Sequence, residues 1–183
     1  MSIKRRIWAL PIIATVIFGV GIAASVYFST TAIKSIKTTE NIDYPVLDRS
    51  KNIQADVQGI VDALKQAVGE DDKKGIEAVN ERAKKVREKF KSLGSLPGQQ
   101  ALGDRLAKEF DAYFSPALSV AKIMLGMDQG DPQAAIGQMQ TSLKVLEDDL
   151  KKTVDSAQKQ FTTGVDNSGD NVRKVLWTVI AAG

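Results

Sequence analysis

The sequence predicts an all-α protein: a membrane-anchored up-down-up-down four-helix bundle continuous with transmembrane helices. Three observations carry this. An uncharged run of 22 residues, Ile7 to Phe28, lies near the start, and a second apolar run, Val175 to Gly183, closes the chain. Between them apolar residues recur in steps of three and four, the spacing of one helix face. Nowhere do apolar and polar residues alternate for long enough to make a strand.

The first run meets the ~20 residues an α-helix needs to cross a ~30 Å hydrocarbon core. Trp8 and Tyr27 stand near its ends, where aromatic rings favour the membrane interface. Lys4, Arg5 and Arg6 precede it and, by the positive-inside rule, keep the N-terminus in the cytoplasm. A cleaved signal peptide also begins with positive charge. The length of the run and the charged helix that follows favour an uncleaved anchor. The expected divisions are 1–6 cytoplasmic, 7–29 the first transmembrane helix, 30–173 a periplasmic bundle, and 174–183 the start of a second transmembrane helix, cut short. The expected location is the bacterial inner membrane.

The first bundle helix shows Val46, Ser50, Ile53, Val57, Ile60, Leu64 and Ala67 in one stripe. It can run from the membrane to about Val68, with Pro45 as a kink point and Gly69 as its end. Asp71 or Asp72 then caps the second helix. There Ile76, Val79, Ala83, Val86, Phe90 and Leu93 repeat the stripe, while Glu81, Arg82, Lys84, Lys85, Arg87, Glu88 and Lys89 fill the other face. The interspersed carboxylates mark that face as solvated rather than as an anion site. Gly94 to Gly98 reads as a turn.

The third helix carries Leu102, Leu106, Phe110, Phe114, Ala117, Ala121, Met124 and Leu125, and breaks at Gly126 to Gly130. Asp131 reads as an N-cap with Pro132 at the first helical position. The fourth carries Ile136, Met139, Leu143, Leu146, Leu150, Val154, Ala157, Phe161 and Val165. The eleven-residue spacing of Leu143, Val154 and Val165 predicts a relaxed supercoil. This helix is expected to continue into the closing apolar run. Apolar positions left over predict a second seam, for a homodimer partner.

The charge balance fits the same layout. The net charge is +3, from 25 cations and 22 anions. Five cations flank the apolar runs, namely Lys4, Arg5, Arg6, Arg173 and Lys174, and no carboxylate lies before Glu40 or after Asp170. The basicity belongs to the membrane flanks, so no nucleic-acid footprint remains. Cysteine and histidine are both absent. That removes thiolate and imidazole metal sites, disulfides, cysteine nucleophiles and histidine bases. With no phosphate loop after a strand either, neither an autonomous enzyme nor a cofactor nor a metal is expected.

Tyr44-Pro45-Val46-Leu47, Ala67-Val68-Gly69-Glu70-Asp71-Asp72, Phe110-Asp111-Ala112-Tyr113-Phe114 with Ala117, and the stripe from Leu143 to Leu150 together resemble the ligand-binding region of bacterial methyl-accepting chemotaxis receptors of the four-helix-bundle type. Related regions stand before histidine kinases and diguanylate cyclases. The resemblance implies an extracytoplasmic dimer that binds amino acids or small organic acids near its dimer interface. It implies signalling by a displacement of the last helix of ~1–2 Å, and kinase and adaptor partners reached only through a cytoplasmic part absent from this sequence. Sensing through a periplasmic binding protein is an alternative, and so is a purely structural bundle.

In aspartate-type receptors of that family, arginines on the first helix clamp the ligand carboxylate. Arg49 is the arginine at hand, with Asn52 or Asp56 beside it, because a guanidinium offers a planar two-pronged donor. Arg105 and Tyr113 on the third helix, and Gln138 and Thr141 on the fourth, complete the candidate ligand-binding set. Tyr113 combines an apolar face with a hydroxyl. Glu70, Asp71 and Asp72 read as helix capping rather than as a calcium site.

Overall fold

The computed structural model describes the backbone of residues 3–182, and the side chains of that span apart from 3–14, 17, 134, 181 and 182. All its elements are helices: α1 (Ile3–Thr38), a π-helical turn (Thr39–Asp43), α2 (Tyr44–Gly69), α3 (Gly75–Gly94), α4 (Gln100–Met124) and α5 (Pro132–Ala182). Helical backbone runs unbroken from Ile3 to Gly69, so the all-α four-helix architecture stands. The chain forms two compact units, Tyr44–Lys159 and Met1–Asp43 with Gln160–Gly183.

The turns follow their sequence signals. α2 ends at Gly69, and Asp71 takes a positive φ of 51°, which an Asp adopts more readily than a branched residue. Asp72 Oδ1 accepts from the Lys74 amide at 3.1 Å and so serves an unpaired donor at the start of α3. Asp131 Oδ1 does the same for Gln133 at 2.9 Å, and Pro132 opens α5.

In the unit Tyr44–Lys159 the expected stripes of α2 and α3 are buried throughout. α3 packs on both α2 and α4. At its centre Phe90 and Phe110 lie 5.7 Å apart, and Phe110 stacks on Phe114 at 5.5 Å. Arg87 covers both α4 rings, at 5.5 Å and 5.3 Å from their centroids, and donates to Asp111 at 2.7 Å. α3 and α4 approach so closely at Gly94 and Gly103 that a Cβ on Gly103 would stand 2.7 Å from the Gly94 Cα and from the Phe90 carbonyl oxygen. α5 joins through Leu146, Leu150, Thr153 and Ala157, all buried. Lys51 donates to Gln158 at 3.0 Å and ties α5 to α2.

Two expected core positions are overturned. Met124 is 58% exposed, because α4 ends there and Leu125 turns inward instead. Val165 is 47% exposed, so the eleven-residue spacing does not continue past Val154. The inward face of α5 instead runs Phe161, Gly164, Ser168, Asn171, Val175, Thr178, an unbroken three–four repeat of half-buried residues. The expected kink at Pro45 also takes another form. The helix widens into a π turn over the five residues just before Tyr44. Pro45 has no N–H, and its ring crowds the carbonyl four residues back; one wider turn relieves both. Side chains restore part of the ladder nearby: Thr38 Oγ1 donates to the Lys34 carbonyl at 3.0 Å and Asn41 Nδ2 to that of Lys37 at 2.9 Å.

In the other unit the seam is made of small and polar residues. Ser35 and Ser168 share a hydrogen bond of 3.0 Å, and Ser168 also donates to the Gly164 carbonyl at 2.7 Å. Gly164 faces the Thr39 hydroxyl, and a Cβ on it would also come within 2.9 Å of Asp43 Oδ2. Thr39 Oγ1 is buried with no hydrogen-bond partner. Among the described residues no helix is long and apolar enough to cross a membrane. Much of the expected first transmembrane run, residues 7–14 and Ile17, lies outside the described side chains.

Candidate functional site

The strongest electrostatic feature of the bundle lies between α4 and α5. Arg105 Nε stands 3.3 Å from Asp149 Oδ2 and 3.7 Å from Glu109 Oε1. Lys152 approaches Asp149 Oδ1 at 3.4 Å. The two carboxylates are largely covered, with side-chain exposures of 17% for Glu109 and 21% for Asp149. Glu109 Oε2 is buried without a partner. Burial pushes the Glu109 carboxyl above its ordinary value, and the Asp149 charge beside it adds to this; Arg105 and Lys152 oppose it. Chemically the cluster holds or releases a proton at the contact between α4 and α5.

Arg105 was legible in the sequence, but its partners were not. The signal for Glu109 was present: it follows Arg105 by four residues and precedes Phe110 of the buried stripe. Asp149 could be paired with them only once α5 was laid beside α4.

The other candidates do not gather at one place. Arg49 Nη1 donates to the Ser92 carbonyl in the last turn of α3, where a cation meets the negative end of the helix dipole. Asn52 Nδ2 donates to Asp48 on its own helix at 3.2 Å. Gln138 is exposed, and Thr141 spends its hydroxyl on the Gly137 carbonyl at 3.0 Å. Tyr113 is 2% exposed, and its hydroxyl is pushed up to about 12 by burial first and by the charges of Glu147 and Asp62 next. Those two neighbours place Tyr113 among α4, α5 and α2. Glu70, Asp71 and Asp72 form no metal-holding cluster, and among the described residues no group of three such ligands does.

A groove of about 260 Å³ runs between α2 and α3, lined by Ala55, Asp56 and Gly59 on one side and by Arg82, Lys85, Val86 and Lys89 on the other. Lys89 pairs with Asp56 at its rim. The face of the second helix that reads as merely solvated in sequence therefore turns three of its cations toward one depression. A second depression, about 400 Å³, follows α1 and the π turn along Thr30, Ile33, Lys34, Lys37, Thr38 and Ile42. Compared with protein-family models, curated proteins and solved structures, the chain matches none.

Proposed function

We propose that this chain is the membrane-anchored, extracytoplasmic sensing region of a transmembrane signalling protein of the chemotaxis-receptor kind. In this reading it works as a homodimer, binds a small organic acid or amino acid, and relays a helix displacement inward. The observation that carries the reading is α5. A single helix of 51 residues starts at the far turn of the bundle and ends in the closing apolar run. A displacement of one end of such a helix reaches the other without new chemistry. A ligand biases it only by binding two positions of the helix unequally.

Anchoring is supported by what surrounds α1. Val16, Phe18, Val20, Ile22, Val26 and Tyr27 are all more than half exposed, at positions that circle the helix. Leu176, Trp177, Val179 and Ile180 are likewise exposed on α5. A helix apolar on every side belongs in lipid or in a large core, and water is a poor solvent for either segment.

Ser119 is exposed on α4, in a chain with no cysteine. With Ser119→Cys expressed in bacteria, a membrane-impermeant maleimide is expected to label it in intact cells, and alkaline carbonate to leave the chain in the membrane fraction. Protection of the thiol until the cells are broken, or extraction by carbonate, would sink the reading.

A further inference from the structure

We propose that the groove between α2 and α3 binds a small dianion, a phosphate-like oxyanion or a short dicarboxylate, held by Arg82, Lys85 and Lys89. The assignment rests on the sensing reading for its purpose, but not for its chemistry.

The argument begins with where the cations of α3 go. Lys84 is taken by Glu81 at 2.7 Å, and Arg87 by Asp111 and the α4 rings. Glu81 and Glu88, which balance the face in sequence, do not line the groove. Arg82 and Lys85 do line it, three residues apart, where like charges repel along a helix. Lys89 closes the set: its ammonium has three donors, so the pair with Asp56 leaves donors for a ligand. Three cations against one carboxylate leave the groove with two excess positive charges, which a dianion matches.

Gly59 supplies an independent observation. It sits in the middle of α2, where glycine is less stable than alanine. No turn or close approach requires it: a Cβ there would meet nothing within 4 Å. Its effect is to leave the groove open opposite the cations. Packing offers no reason for that cost, whereas a site does. The groove, at about 260 Å³, is slightly smaller than the ~300–1,000 Å³ of drug-sized pockets, which suits a compact anion and not a nucleotide. Arg82 offers the two-pronged geometry that carboxylate and phosphate share.

The test is calorimetric titration of the full chain in detergent micelles, at constant ionic strength set with chloride. One arm uses inorganic phosphate and the other succinate, so that the source of the dianion is distinguished. Saturable binding in one arm is expected. Arg82→Gln and Lys85→Gln should each weaken it about tenfold or more, the usual loss for a charge-assisted contact. Gly59→Leu should abolish it with helical content unchanged, and Lys84→Gln should leave it intact. Absence of saturable binding in both arms overturns the site, as does an equal loss from Lys84→Gln, which would indicate diffuse charge attraction. If the groove binds but Ser119→Cys is shielded in intact cells, the site stands and the membrane-sensor reading falls.

Discussion

The two compact units obey the same spacing rule with opposite materials. In Tyr44–Lys159 the inward positions are filled by Phe90, Phe110, Ile53, Ile60, Leu106 and Leu146, all buried, and the outward ones are charged. In the other unit the inward positions hold Ser35, Thr39, Gly164 and Ser168, while the apolar bulk faces out at Val16, Ile22, Val26 and Ile180. A bundle in water hides its large apolar side chains; helices in lipid associate through small residues and interhelical hydrogen bonds, because lipid leaves little hydrophobic drive between them. The contrast teaches that periodicity alone does not reveal the solvent. The identity of the residues on each face does.

The comparison breaks most severely at the aromatic centre. Phe110→Ala should destabilise the bundle by about 3–5 kcal/mol, since it removes a fully buried ring that contacts two others. Urea unfolding followed by circular dichroism measures it, and a loss under roughly 1 kcal/mol would mean the cluster is not the core. Gly103→Ala should cost a similar order, about 2–4 kcal/mol, because its Cβ would strike backbone rather than a movable side chain.

The small-residue seam invites a sharper test. Ser35→Cys with Ser168→Cys should form a disulfide readily, since the native hydroxyls are 3.0 Å apart. Adding Gly164→Val should lower the yield several-fold, because the new side chain meets Thr39 and Asp43. A gel under non-reducing conditions reads the outcome, and undiminished cross-linking would show that close approach at Gly164 is not required.

Smaller effects come from polar groups inside the bundle. Ser50 is 0% exposed and its hydroxyl has no partner, so Ser50→Ala should stabilise by roughly 1 kcal/mol. A fall in stability would mean that the hydroxyl is served by water. For Glu109 the folded state holds the proton more tightly than the unfolded chain does. Its contribution is therefore present at low pH and is lost as pH rises from the ordinary value of 4.5 through the raised one. Glu109→Gln should flatten that part of the stability profile. Tyr113 acts the same way at the alkaline end: stability should fall between pH 10 and about 12, and Tyr113→Phe should remove the fall. A Glu109→Gln profile that still falls above pH 4.5 would reassign the titration to another group.

The sequence by itself determined the all-α class, the ends of α2, α3, α4 and the start of α5, and nearly all of the buried stripes. These follow from local rules: apolar spacing, Gly and Pro at the turns, and Asp as a cap, each acting within about a turn of helix. What only the tertiary structure decided lies between helices. The meeting of Arg105 and Glu109 with Asp149, the turn of Arg49 to the Ser92 carbonyl, and the convergence of Arg82, Lys85 and Lys89 on Gly59 depend on which faces oppose one another and at what height. The π turn before Pro45 belongs to both levels: proline announced the strain, and the close approach of Gly164 to Thr39 shows where the widened turn packs. A heptad pattern specifies that a face is buried but not its partner, because many registers bury the same area and only side-chain fit separates them.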